Sequence, residues 1–154
     1  MTITPPDQWL AGFVTRWHSG PSAPYLAHTQ DRICGHQGRM AVLALHYWPN
    51  CTRELLVACV VHDVGEYGVA DVPWGAKHDQ AFKNMLDNLE AASLTELGLM
   101  FYVSEQDAKR LKFLDRLDAY LWAQLYAPQV LSTPDWQGCF DNLQTMADDL
   151  GVMI

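Results

Sequence analysis

With 154 residues, 49% of them apolar and 18% charged, the chain has the size and composition of one soluble globular domain spanning 1–154. A single core of that size can bury about two-thirds of the unfolded surface. The formal charge of −8 argues against the basic surface that a nucleic-acid binder needs. No run approaches the ~20 apolar residues of a membrane span. The N-terminus has neither the basic region nor the apolar stretch of a signal peptide, so a cytoplasmic protein is expected. Cys34, Cys51, Cys59 and Cys139 form no C-x-x-C pair, which argues against a disulfide framework or a structural zinc knuckle.

Taken in order, residues 9–18 form a short amphipathic segment behind Pro5-Pro6-Asp7, a helix start signal. Residues 19–24 are a Gly/Pro/Ser loop. A helix over 31–48 carries Ile33, Met40, Leu43, Ala44 and Tyr47 on one side and stops at Pro49-Asn50. Thr52 can cap the next helix, whose apolar run from Leu55 to Val61 goes nearly all round and marks it as central and buried. Residues 65–77, punctuated by Gly and Pro, form an irregular loop. Helical periodicity returns over 79–97 and 104–126, with Ser104 and Asp107 in the positions of a capping box. Pro134 opens a last helix to Leu150. No segment alternates as a strand would, so the class is all-α: a compact single domain of about six helices.

The apolar run ends on His62-Asp63, with Glu66 three residues further on. Burying an imidazole and two carboxylates is costly without a partner, and a divalent metal is an economical one. His62 and Glu66, at i and i+4, are expected to share a helix face. A lone His-Asp pair is more often a solvated helix end, so further ligands decide the matter. His36 lies mid-helix, 26 residues before His62. Asp115 is bounded by Phe113, Leu114 and Leu117, and Asp118 at i+3 is its rival. Taken together, His36, His62, Asp63 and Asp115 make a His…His-Asp…Asp set spread over three helices.

This order resembles the HD-domain metal-dependent phosphohydrolases. Arg16-Trp17, Glu66, Ala70-Asp71-Val72-Pro73, Lys77 and Asp115 followed by Ala119-Tyr120-Leu121 are similar to the YfbR-type 5′-deoxynucleotidase branch. Within it the chain looks most like the short DatZ-type dATP triphosphohydrolases of phages. Gly35 and Gln37 flank His36 where the bacterial nucleotidases carry Glu and Ser. The resemblance implies a divalent ion (Co, Mn or Zn, with Mg or Fe as alternatives) on His36, His62, Asp63 and Asp115. Beyond the metal it implies a deoxynucleotide substrate and a homo-oligomer, a dimer or a hexamer. The setting would be host cytoplasm if the protein is phage-encoded.

Roles follow from that frame. Glu66 is the expected general base or water-orienting group, with Asp63 beside it at the metal. Arg16, Lys77 and Lys112 are the expected phosphate-binding cations, and Arg39 is a weaker candidate. Trp17 would pack on the sugar or base, Asp71 would accept from the 3′-hydroxyl, and Pro73 with Trp74 would line the base pocket. His18, His28, His46 and His78 read as ordinary. Three functions stay open: hydrolysis of dATP to deoxyadenosine and triphosphate, 5′-deoxynucleotide monophosphatase activity, and a non-catalytic nucleotide sensor.

Overall fold

The computed structural model describes residues 3–27 and 29–154, with Trp74 described by its backbone alone. His28 and the side chain of Trp74 therefore lie outside the described residues. The described residues form six α-helices: α1 (Asp7–Ala11), α2 (Ile33–Tyr47), α3 (Arg53–Val61), α4 (Gln80–Glu96), α5 (Glu105–Tyr126) and α6 (Pro134–Leu150). Short 3-10 turns lie between α1 and α2, α3 and α4, and α5 and α6, and among the described residues there is no strand. The all-α class holds.

Side-chain caps explain where α3, α4 and α5 begin. Thr52 accepts from the Leu55 amide, Asp79 from Phe82 and Ser104 from Asp107. Each satisfies one of the amides that a helix start leaves unpaired. Only half of the expected capping box forms at α5. The Asp107 carboxylate accepts from the Thr52 hydroxyl at 2.7 Å and from Arg110 at 2.9 Å, tying the starts of α3 and α5 together. Gly151, at φ 67°, closes α6 in the left-handed conformation that favours glycine.

The first helix is shorter than its periodicity predicts. It stops at Ala11, and Val14 to Arg16 run extended instead. The backbone of this segment pairs with the approach to α2: Arg16 N–H donates to Asp31 O, and Ile33 N–H to Val14 O. These bonds compete with the helix and win, because β-branched Val14 and Thr15 favour extended backbone. Trp9 and Phe13 consequently stay more than half exposed.

The main core is built from α2, α3, α5 and α6, with Met40, Leu55, Cys59, Phe113, Leu114, Leu117 and Leu143 fully or nearly fully buried. Phe113 meets Tyr47 and Trp48 edge-on, at ring separations of 5.5 and 6.2 Å. Helix α5 touches α2, α3 and α6, while α3 buries Leu55, Ala58, Cys59 and Val61 and leaves Val60 49% exposed.

The loop over 65–77 contains two 3-10 turns, Val64–Gly68 and Trp74–His78, both packed on α4. A Cβ on Gly65 would stand 2.5 Å from the carbonyl oxygen of Glu90, so only glycine allows that approach. Gly68 packs similarly on Ser93. These two glycines seat the turn against a helix, within the segment whose Gly and Pro punctuation predicts an irregular loop.

Candidate metal centre

Three of the core helices supply the four expected ligands. His36 comes from α2, His62 and Asp63 from the end of α3, and Asp115 from α5. One ligand atom from each lies within 4.8 Å of all the others, and His36 is fully buried. His36 Nε2 is 3.3 Å from both Asp63 Oδ2 and Asp115 Oδ1, and His62 Nε2 is 3.2 Å from Asp63 Oδ1. Adjacent ligands on a divalent ion with bonds of about 2.0–2.2 Å stand roughly 3.0–3.4 Å apart, so these separations fit one.

The hydrogen bonding supports the same conclusion. Nε2 of His36 and Nε2 of His62 are both buried without a hydrogen-bond partner. Their Nδ1 atoms are engaged: His62 Nδ1 lies 3.1 Å from the Ala58 carbonyl, and His36 Nδ1 lies 2.7 Å from Asp118 Oδ2. When each Nδ1 carries the proton and donates it, each Nε2 presents a bare lone pair to the carboxylates of Asp63 and Asp115. Two lone pairs and two anions converging in a buried place call for a cation. With a proton as that cation, hydrogen bonds to Asp115, Asp118 and Asp63 outweigh burial and raise the His36 imidazole to about 10. Asp63 is held well below the usual carboxylate range: His62, His36 and Arg16 outweigh its burial. Asp115, bonded to His36 and beside Arg16, is likewise held down at about 2 against the opposing effect of burial.

Glu66 stands apart from this set. Because α3 ends at Val61, His62 and Glu66 do not share one α-helix face; Glu66 sits in the following 3-10 turn. It is 4% exposed and its Oε2 has no partner. Burial first, then the charges of Asp63 and Asp71, push its carboxyl up to about 10. Ala70, left-handed at φ 65°, turns the chain so that Asp71 comes back to the N-terminal segment. There Asp71 accepts from the Trp17 amide at 2.6 Å and lies 3.6 Å from Lys77 Nζ.

The expected cations divide. Arg16 reaches the centre: its Nη2 donates to Asp115 Oδ1 at 3.1 Å, and Nη1 is 3.6 Å from Asp118. Nη1 also lies 2.8 Å from His36 Nδ1, where it cannot donate while that nitrogen carries the proton given to Asp118. Lys77 pairs with Asp71 and faces Glu66 and Glu90. Lys112 is exposed on α5. Trp17 is 42% exposed and lines an open recess of about 280 Å³ with Thr15, Ala27, Thr29 and Gln30. Pro73 is half-buried just before the second of the two turns on α4.

Asp118, the rival ligand, turns out to contact the far nitrogen of His36 instead. Arg39 clamps it, with Nε to Oδ1 at 2.7 Å and Nη2 to Oδ2 at 2.9 Å. The same guanidinium bonds both oxygens of Asp31. Asp31 in turn is bonded at 2.9 Å to His18, which stacks on Trp122 at 4.3 Å. One signal for this network was present in the sequence: Arg39 follows His36, and Asp118 follows Asp115, each by three residues on facing helices. Nothing comparable pointed to Asp31.

The chain matches no family model, no curated protein and no solved structure. The geometry alone establishes an all-helical protein with a largely buried His/Asp cluster able to hold a metal ion.

Proposed function

We propose that this protein is a metal-dependent phosphohydrolase of deoxynucleotides, with dATP as substrate and deoxyadenosine and triphosphate as products. The observation that carries the proposal is the cluster of His36, His62, Asp63 and Asp115 with its two bare Nε2 atoms. It is supported by the His…His-Asp…Asp order, which resembles the HD-domain hydrolases. A divalent ion held there would supply Lewis-acid chemistry toward a phosphoryl oxygen and make water nucleophilic near neutral pH.

The remaining work falls to the chain itself. Glu66 would hold and release a proton at Oε2, its carboxyl brought down once a cation beside Asp63 offsets that charge. Arg16 would bind the phosphate nearest the centre. Trp17 would pack on the nucleoside, held in place by the bond from its amide to Asp71. Asp71 would take the 3′-hydroxyl, with Pro73 beside it. Lys77 and Lys112 would serve the outer phosphates.

A 5′-deoxynucleotide monophosphatase is the second reading, and one observation favours it. Arg16 and Lys77 are already paired with carboxylates, and Lys112 lies exposed, which leaves few unpaired cations for a triphosphate tail. Chromatography of products from dATP, dAMP, dGTP and ATP, each with Co, Mn, Zn or Mg, separates the readings, with Asp63→Ala as control. Deoxyadenosine with intact triphosphate supports the first, and phosphate from dAMP alone the second. No turnover of any substrate overturns both and leaves a nucleotide sensor.

A further inference from the structure

We propose that Asp118 is a positioning residue for the metal centre. Its carboxylate, clamped by Arg39, holds the His36 ring in the tautomer and orientation that aims Nε2 at the ion. This rests on the reading of His36, His62, Asp63 and Asp115 as metal ligands.

An imidazole ligand has two freedoms that must be removed: which nitrogen carries the proton, and how the ring is turned. At His62 the backbone removes both, through the Ala58 carbonyl one turn earlier on the same helix. His36 has no such bond to its own helix. Its Nδ1 instead meets Asp118 Oδ2 at 2.7 Å, from a different helix. A carboxylate at that place fixes the ring more firmly than a carbonyl does and makes Nε2 a stronger donor.

Asp118 can do this only if it is itself immobile. It is 2% exposed, and both of its oxygens are taken by Arg39, whose Nη2 also bonds buried Asp31. The carboxylates of Asp31 and Asp118 flank one guanidinium, and turning Asp118 would break its bonds to both Nε and Nη2 of Arg39. Asp118 is not itself one of the four clustered residues and reaches them through His36 and, at 3.6 Å, through Arg16. The expected consequence is therefore a change in metal affinity.

The test compares the full-length wild type with Asp118→Asn, which keeps the shape and loses the charge. Zn and Co dissociation constants would be measured by competition with a chromophoric chelator, and the His36 Nδ1 proton followed by NMR in the Zn-loaded protein. Asp118→Asn should bind Zn about 10- to 100-fold more weakly. Its His36 Nδ1 proton should move upfield from the low-field position of a bond to a carboxylate. Arg39→Gln, at a half-exposed position, should weaken binding by less than tenfold and serves if Asp118→Asn does not fold. Equal Zn affinity in wild type and variants, even with a lower Tm, would mean the network is only a structural tie between α2 and α5, and would overturn the proposal. If the wild type itself binds no divalent ion, the metal centre falls and this inference with it.

Discussion

Two regions of buried carboxylate, Asp31 with Asp118 around Arg39 and Glu66 near Asp63, differ in how completely they are paired. Asp31 and Asp118, on one side, have partners for all four oxygens among Arg39, His18 and His36. Against the upward push of burial, those bonds hold both acids below their usual range. Glu66, on the other side, is about as deeply buried, yet its Oε2 has no partner and its carboxyl is pushed up to about 10. Leaving a buried polar atom unmatched costs about 1–3 kcal/mol. A fold that fully pairs two acids while leaving a third unmatched supports the proposed role of that third group in the chemistry.

Asp63 touches both histidine ligands and also pushes Glu66 upward, so it joins the two sides. Asp63→Ala should reduce hydrolysis by more than the roughly 100-fold typical of losing an outer partner of a ligand, and should weaken metal binding as well. A variant with normal metal uptake would separate Asp63 from the centre. Glu66→Gln should cost about 10²–10⁴-fold in kcat while Zn affinity changes little. Full activity in Glu66→Gln would reduce Glu66 to a buried acid without a task.

Stability should show the same contrast. Arg39→Met strands two buried carboxylates. Breaking a buried pair costs about 3–5 kcal/mol, but Arg39 is 41% exposed at its side chain, so a discounted loss of about 2 kcal/mol is expected in denaturant melts. Gly65→Ala forces a methyl onto the Glu90 backbone and should cost about 1–3 kcal/mol, displacing the turn that carries Glu66.

The pH dependence of the metal-free protein tests the unpaired side. Glu66 keeps its proton in the folded state up to about 10 but loses it near 4.5 when unfolded, so the folded state binds more protons between those values. Stability should therefore fall as pH rises across that window, and Glu66→Gln should flatten the slope. His36, raised to about 10, contributes in the same direction above its unfolded value of 6.5, so part of the slope should persist in the variant. A metal-free protein that gains stability between pH 7 and 9 would contradict both assignments.

Some of this was legible from residues alone. Periodicity, caps and breakers located α2, α4, α5 and α6 and the start of α3 to within about two residues, because those signals act over one or two turns. The four clustered residues were singled out too, but their order was joined through the resemblance to HD-domain hydrolases, and local spacing left Asp118 as a rival to Asp115.

What the sequence determined by itself was the helical class and which side chains needed partners. Only the tertiary structure decided who those partners are. The first helix yielded to backbone pairing between Val14 and Ile33, α3 ended before Glu66, and Asp118 turned from rival ligand into the clamp on His36. The backbone pairing joins residues 19 apart in the chain and the clamp on His36 joins residues 82 apart, between groups that local spacing treats independently. A carboxylate's need for a partner is a property of its residue type and burial. Its actual partner is fixed by how the helices pack.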